Sequence, residues 1–354
     1  VVIETEITIA IDAMGGDKAP DSVLNGANLV LSRYSNIKFL IFGDKSKIDP
    51  IIDKLPDLKR KSEIHHTSIF IENHEKPSLA LRKGTGSSMR FAIDAVRDGK
   101  AMAVVSAGNT GALMAMSKLR LRTLPGIDRP AIASAFPTQH GACILLDLGA
   151  NSDCNSDNLV QFALMGDAFA KVLLKKKTPK IALLNIGEED NKGSEVVKAA
   201  ADDLREGNYP INFIGYVEGD GIARGDADVI VTDGFTGNVA LKTAEGVARI
   251  CLLYIKEAFG SSLLAMIGGI LAKRALKKTF KKMDPRSHNG AMFLGLNGIS
   301  VKSHGSADAF SFSNAITVAI ELAVNNINDK IINELSSYER DFASDDIQNV
   351  EESL

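Results

Sequence analysis

Short apolar runs alternate with longer amphipathic segments along most of this 354-residue chain. Runs rich in Val, Ile and Phe, bounded by Gly, Asp, Asn or Ser, predict strands at 7–11, 38–42, 102–106, 131–135, 143–146, 180–185, 211–215 and 229–232. Apolar residues at three- and four-residue steps predict helices at 20–33, 79–97, 158–174, 193–204 and 237–258. Strands alternating with helices imply an α/β fold on a largely parallel sheet covered on both faces. No internal repeat or low-complexity linker breaks the pattern. Residues 1–343 are therefore expected to form one large α/β domain, followed by an acidic, solvated tail at 344–354, "SDDIQNVEESL".

In such sheets ligands bind beyond the carboxyl ends of the strands. Five predicted strand ends carry Gly with Asn, Asp or Thr: "DAMGGD", "SAGNTGA", "DLGANSD", "NIGEEDNKGSE" and "TDGFTGN". The second leads into the apolar run 112–116, which makes a strand, a small-residue turn and a helix start. That turn reads either as a helix cap supplied by Ser106 or Asn109, or as a cradle of backbone N–H groups for an anion. "DGFTGNVALK" repeats the idea with Asp233, Thr236, Gly237 and Asn238, so the two turns could share a phosphate or carboxylate. Neither turn has the Gly-Lys-Ser/Thr of a P-loop or the three spaced glycines of a dinucleotide site, so the anion is expected to be small.

The remaining chemistry is sparse. Glu188, Glu189 and Asp190 could hold Mg²⁺ or could complement a helix dipole, while Lys192 could approach a phosphate or a developing oxyanion. "VKSHGSADAF" offers Lys302, His304 and Asp308, with His304 either a general acid/base or a turn residue. His65, His66, His74, His140 and His288 lack ligand spacing and read as structural. Cys143, Cys154 and Cys251 show no CxxC spacing, which argues against a zinc site or a disulfide framework. No GxSxG elbow is present. The residues describe an α/β enzyme that positions a small anion without an obvious covalent nucleophile.

One segment departs from the alternation. Residues 263–272 are all apolar or glycine, and Lys273, Arg274, Lys277, Lys278, Lys281 and Lys282 follow without an acid, with Leu276 and Phe280 on another side. A protruding amphipathic helical segment is expected within 255–290. It either packs in a dimer with its basic face solvated, or dips Leu263, Leu264, Met266 and Ile267 into lipid while the lysines meet anionic head groups. A net charge of −3 supplies no global field for nucleic acid. No apolar stretch reaches the roughly 18 residues of a spanning helix, and glutamates interrupt the N-terminal run, so no signal peptide is expected. The expectation is a soluble intracellular protein.

Eight motifs in order, "IAIDAMGGDKAP", "KPSLALRKGTGSSMRFAIDAV", "SAGNTGALMA", "GIDRPAIA", "LLDLGAN", "NIGEEDNKGSE", "TDGFTGNVALKT" and "NGISVKSHGSADAF", resemble the PlsX family over nearly the whole chain. Members of that family are acyl-ACP:phosphate acyltransferases of bacterial phospholipid synthesis. The resemblance implies a Rossmann-like sheet of the isocitrate/isopropylmalate dehydrogenase kind. It implies attack of inorganic phosphate on the thioester of a long-chain acyl carrier protein, with no metal or organic cofactor. It marks Lys192 as the foremost catalytic candidate, with Lys302 and His304 behind it. Asn109, Thr110, Gly111, Asp233, Thr236, Gly237 and Asn238, with Asp12, Gly15 and Gly16, become candidates for binding phosphate or the thioester.

The same resemblance implies a homodimer on a membrane surface, coupled to a membrane glycerol-3-phosphate acyltransferase. It also implies an acidic carrier protein docking on basic residues, for which Arg82, Lys83, Arg90, Arg120, Arg122 and Arg129 are candidates. Two other readings stay open: a short-chain phosphate acyltransferase acting on acyl-CoA, and a non-catalytic membrane-associated scaffold.

Overall fold

The computed structural model describes residues 6–283 and 289–335, with the backbone alone for 276–283. The expected acidic tail, His288, and the side chains of Leu276, Lys277, Lys278, Phe280, Lys281 and Lys282 lie outside the described residues. The chain opens with β1 (Ile7–Asp12), α1 (Asp21–Leu31), β2 (Ile37–Gly43), α2 (Lys45–Ile52), α3 (Pro56–Arg60), β3 (Ser62–His66), α4 (Pro77–Lys83), α5 (Ser88–Arg97), β4 (Ala103–Ser106) and α6 (Thr110–Leu121). A second run gives β5 (Ala131–Thr138), β6 (Gly141–Leu146), α7 (Ser156–Leu173), β7 (Lys180–Leu184), α8 (Glu195–Glu206), β8 (Asn212–Val217), α9 (Gly219–Arg224), β9 (Val229–Val231), α10 (Gly234–Gly260) and α11 (Leu263–Met283). The chain then returns through β10 (Ala291–Leu294), β11 (Ile299–Lys302) and α12 (Ala309–Val324).

The strands build one sheet of eleven among the described residues, in the order β3-β2-β1-β4-β11-β10-β5-β6-β9-β7-β8. Its strands alternate as a sheet buried on both faces requires. Ile7, Ile9 and Ile11 of β1 enter one core with α1, α7 and α12, whereas Ala10 enters the other with α5 and α6. β4, β7 and β9 follow the same rule: Val105, Leu183 and Val231 face the first core, and Val104, Ala182 and Ile230 face the second. Each fully buried isoleucine or valine side chain contributes about 1.5–3 kcal/mol relative to exposure.

The expected parallel sheet is present with an antiparallel centre. β3, β2, β1, β4 and β11 run parallel, as do β6, β9, β7 and β8, but the ladders β11·β10, β10·β5 and β5·β6 are antiparallel. The two parallel blocks therefore have opposite polarity.

Three strands were not legible as alternating runs: β3, β10 and β11. The helix expected over 79–97 is two helices, α4 and α5, broken at 84–87. Gly86 takes φ of +86°, a conformation that interrupts any helix, and Ser87 begins a new one by accepting from Arg90 N at 3.2 Å. β11 matters most for the site. It inserts between β4 and β10, in register with β4 at Lys302↔Ser106, and so sets the turn after Lys302 beside the turn after Ser106.

Candidate active site

Three turns meet at the carboxyl ends of β1, β4 and β11. Their common anchor is Asp12, 1% exposed, which accepts from Ser88 Oγ at 2.6 Å, Ser106 Oγ at 2.7 Å and Met14 N at 3.2 Å. Burial pushes this carboxyl up, and the two serine hydroxyls and the backbone N–H groups pull it back down. As an acceptor-only group it organises the turn and offers nothing to an anion. Gly15 is obligatory here: a Cβ would lie 2.6 Å from both Asp12 Oδ2 and Gly108 N, so the first two turns touch backbone to backbone. Asp17 N donates to Gly305 O at 2.8 Å and joins the third turn to them.

Asn109 caps α6, accepting from Ala112 N at 2.9 Å. Its Nδ2 donates to Asn73 O at 2.8 Å and Glu75 O at 2.9 Å, and Asn73 Nδ2 reaches Asp17 Oδ1 at 2.6 Å. The side chain is thus fully used in shaping the turn and holding the segment 73–75 across it. Ser106 does not cap the helix; its Oγ donates to Asp12 and accepts from Gly108 N at 3.0 Å. What the turn leaves open is its backbone: the N–H groups of Thr110 and Gly111 donate to nothing among the described residues. They point out at the positive end of a twelve-residue helix.

Lys302 lies beside the same turn, its Nζ donating to Ala107 O at 3.4 Å and to Ser303 O. Burial lowers its ammonium from 10.5 to about 8, although Asp17 and Asp12 pull the other way. His304 is held by its N–H to Asn289 Oδ1 at 2.9 Å, and its Nδ1 accepts from Ser306 N at 3.2 Å. A neutral imidazole that accepts at Nδ1 carries its proton on Nε2. Burial lowers the His304 pKa; Glu245 opposes this, and Lys242, Lys302 and Arg249 add to it, which favours the neutral ring. Asp308 accepts from Ser311 N at 2.8 Å as the cap of α12.

The second block has its own buried anchor, which sequence reading passed over. Asp147, 0% exposed, accepts from the N–H groups of Ile132, Gly149, Ala150 and Asn151 and from Asn151 Nδ2, at 2.7–3.1 Å. Its signal was an aspartate ending a strand before a glycine turn, as at Asp12. The start of α10 packs on this network. Gly234 N donates to Asn151 O at 2.7 Å, Thr236 N to Asp233 Oδ1 at 2.8 Å, and Asn238 Nδ2 to Leu148 O at 3.1 Å. Asp233 also takes the Thr236 hydroxyl at 2.7 Å, and Gly237 N returns to Asp233 O at 3.0 Å. Of its first four amides only Phe235 N lacks a partner among the described residues, against two, Thr110 N and Gly111 N, at the start of α6.

The structure thus gathers Asp12, Gly15, Gly16, Asn109, Thr110, Gly111, Lys302 and His304 around one set of turns. Asp233, Thr236, Gly237 and Asn238 stand around Asp147 in another. α10 links the two, because its Lys242 and Glu245 act on the charge of His304 and Lys242 acts on Lys302. Lys192 is exposed on the loop after β7, and its ammonium makes no hydrogen bond or ion pair among the described residues. Among the described residues there is no group of acids, cysteines or histidines that could hold a metal; Asp190 instead pairs with Arg205 at 2.6 Å.

Three basic candidates for docking are already engaged. Arg90 and Arg120 converge on Asp94 at 3.2 and 2.6 Å, and Arg97 joins them at 3.2 Å. Arg129 donates to Asp153 O at 3.3 Å, whereas Arg82 and Lys83 stand exposed at the end of α4. Leu263, Leu264, Met266 and Ile267 are exposed on α11, which folds back along α10 so that Phe259 meets Gly269.

Comparison with known proteins agrees with this architecture. The family model described as "Fatty acid synthesis protein" matches residues 7–330. A phosphate acyltransferase of Paramagnetospirillum magneticum is 54% identical over 92% of this chain and 93% of its own length. One from Rhodospirillum centenum is 54% identical over 93% of this chain and 92% of its own. Among solved structures, a phosphotransacetylase from Streptococcus pyogenes superposes with a TM-score of 0.60 at 17% identity, covering 90% of this chain and 94% of that one. A phosphotransacetylase from Staphylococcus aureus gives 0.55, also at 17% identity, over 90% and 94% of the two chains. At that identity the likeness speaks for the mixed α/β fold with its large, mostly parallel sheet. The match over 7–330 and the relatives aligned along almost their full length place the chain in the fatty acid synthesis protein family, the PlsX family whose motifs its sequence carries.

Proposed function

We propose that this protein transfers a long-chain acyl group from the thioester of acyl carrier protein to inorganic phosphate, giving acyl phosphate for phospholipid synthesis. The observation that carries the reading is the open amide pair of Thr110 and Gly111 beside the half-buried amine of Lys302, in a chain 54% identical to phosphate acyltransferases. Phosphate seats on those two N–H groups, where the dipole of α6 and the Lys302 ammonium favour its charge. A phosphate oxygen attacks the thioester carbonyl, the C–O bond forms, and on this reading the tetrahedral oxyanion meets the Lys192 ammonium. The C–S bond then breaks with its electron pair on sulfur. A thiol pKa of about 8.5 makes this a good leaving group, and the proton carried by hydrogen phosphate ends on the thiolate. His304, with its proton on Nε2 and its Nδ1 taken by Ser306, serves on this reading as a hydrogen-bond donor to the departing sulfur and relays no proton itself.

The test is incubation with long-chain acyl carrier protein and inorganic phosphate, trapping acyl phosphate as its hydroxamate. Phosphate-dependent hydroxamate is the expected result. Thioester loss that ignores phosphate, or turnover of acetyl-CoA in preference, would reject the reading.

The exposed apolar side chains of α10 and α11 support its second part. Leu263 is 75% and Leu264 83% exposed, and Leu253, Tyr254, Ile267, Ile270 and Leu271 are exposed with them. On this reading the hairpin meets a second copy of the chain and a lipid surface, so that a cytoplasmic enzyme delivers acyl phosphate to a membrane glycerol-3-phosphate acyltransferase. The described residues then act as one α/β unit of the isocitrate/isopropylmalate dehydrogenase kind. Leu263→Glu with Ile267→Glu should abolish co-sedimentation with anionic vesicles; undiminished binding rejects the lipid contact.

A further inference from the structure

Lys192 owes its place to a short loop and not to contacts of its own ammonium. Residues 185–193 follow β7, and the backbone of this loop is fastened from inside. Asn185 Nδ2 donates to Lys192 O at 3.2 Å, and Lys192 N donates to Glu189 O at 3.0 Å. Gly187 leaves room for the lysine stem, since a Cβ there would sit 2.9 Å from Lys192 Cγ. Gly193 turns the chain away at φ +91°, a left-handed conformation that suits glycine.

A second fastening comes from outside. Arg205, on α8, donates from Nη2 to Asp190 Oδ1 at 2.6 Å. Its guanidinium lies over the rings of Tyr216 and Phe213 on β8, at 5.5 and 6.0 Å from their centroids. Exposed ion pairs hold long side chains loosely and contribute little to stability. This one differs because the planar guanidinium is already confined by two aromatic faces before it meets the loop. Asp190 lies two residues from Lys192, so whatever holds Asp190 also sets the direction of the lysine stem.

We infer that Arg205 is a positioning residue for acyl transfer: through Asp190 it fixes the 185–193 loop so that the Lys192 ammonium is presented to the reacting carbonyl. The inference rests on the proposed assignment of Lys192 to the oxyanion. It also gives the acids of "NIGEEDNKGSE" a use that needs no metal, with Asp190 serving as the handle by which α8 grips the loop. A displacement of about 1 Å in a catalytic group can cost about a hundredfold in rate, which makes a weak surface pair consequential for turnover.

Arg205→Met keeps an unbranched stem over the two rings and removes the fork, while Asp190→Asn changes only an exposed side chain. Each should lower kcat about tenfold or more, leave KM for phosphate within about twofold, and leave thermal unfolding nearly unmoved. Arg205→Lys should recover part of the loss. The decisive comparison uses Lys192→Ala: residues that act as a unit are non-additive, so neither change should lower turnover further in that background. Full kcat in Arg205→Met, with Lys192→Ala strongly impaired, overturns this proposal and leaves the Lys192 assignment standing. An equal further loss in the Lys192→Ala background also overturns it, because it marks a general structural role. Near-normal turnover in Lys192→Ala overturns both.

Discussion

Lys302 gives the sharpest prediction because its burial works against the fold while serving the site. Its ammonium falls from 10.5 to about 8, driven first by desolvation. A difference of about 2.5 pH units, at 1.36 kcal/mol for each, means that keeping the lysine charged costs the folded state about 3 kcal/mol at pH 7. The folded pKa lies below the unfolded value, so the fold binds fewer protons between about pH 8 and 10.5, and stability should rise with pH through that window. Lys302→Met removes the charge. It also loses the donors to Ala107 O and Ser303 O, worth about 1 kcal/mol each. The variant should therefore be about 1–2 kcal/mol more stable than the wild type at pH 7, and that advantage should shrink by about 2 kcal/mol at pH 9.5. Urea unfolding of both proteins at the two pH values measures this, and taking the difference cancels other titrating groups. The same variant should lose affinity for phosphate, and wild-type phosphate affinity should weaken as pH rises through about 8. A variant less stable than wild type at pH 7, by an amount that does not change at pH 9.5, would refute the reasoning.

Further expectations test the turns. Thr110→Pro removes one N–H at the first helical position, where proline is well tolerated, so folding should survive while KM for phosphate rises about 10- to 100-fold; an unchanged KM would remove that amide from the site. Gly15→Ala forces a Cβ against Asp12 Oδ2 and the Gly108 backbone and should cost about 1–3 kcal/mol in denaturant unfolding, with loss of turnover. Asn109→Ala should cost about 1 kcal/mol for the lost cap, and faster proteolysis within 72–77 should accompany it because both straps to Asn73 and Glu75 go.

The sequence made some of this plain and concealed the rest for definite reasons. β1, β4, β7 and β9 stood out because Val and Ile alternate between two cores and a polar residue ends each run. β11 did not, since "ISVK" is short and its partner β4 lies about 200 positions away. The two glycine turns looked equivalent. Only the fold shows that Asn151 and Asp233 take three of the first four amides of one and leave Phe235 N, while Asn109 takes two of the other's and leaves Thr110 N and Gly111 N open. Lys192 could be picked out by its motif, but Arg205, Tyr216 and Phe213 could not, because nothing in their own neighbourhood refers to that loop. The pairing of Arg90 with Asp94 was legible, one helical turn apart, whereas that of Arg120 with the same carboxylate was not, because it is made between two helices.

The late return of β11 bears on how the protein is made. β4 and β10 both wait for a strand that leaves the ribosome after residue 298, so the N-terminal block spends synthesis with an unsatisfied edge. Pairings this distant in sequence form slowly, and the growing chain should depend on chaperones until they close. Because Lys302 and His304 arrive with that last strand, a nascent or truncated chain possesses neither the completed sheet nor the chemistry. Turnover in the cell therefore cannot begin until synthesis has passed β11.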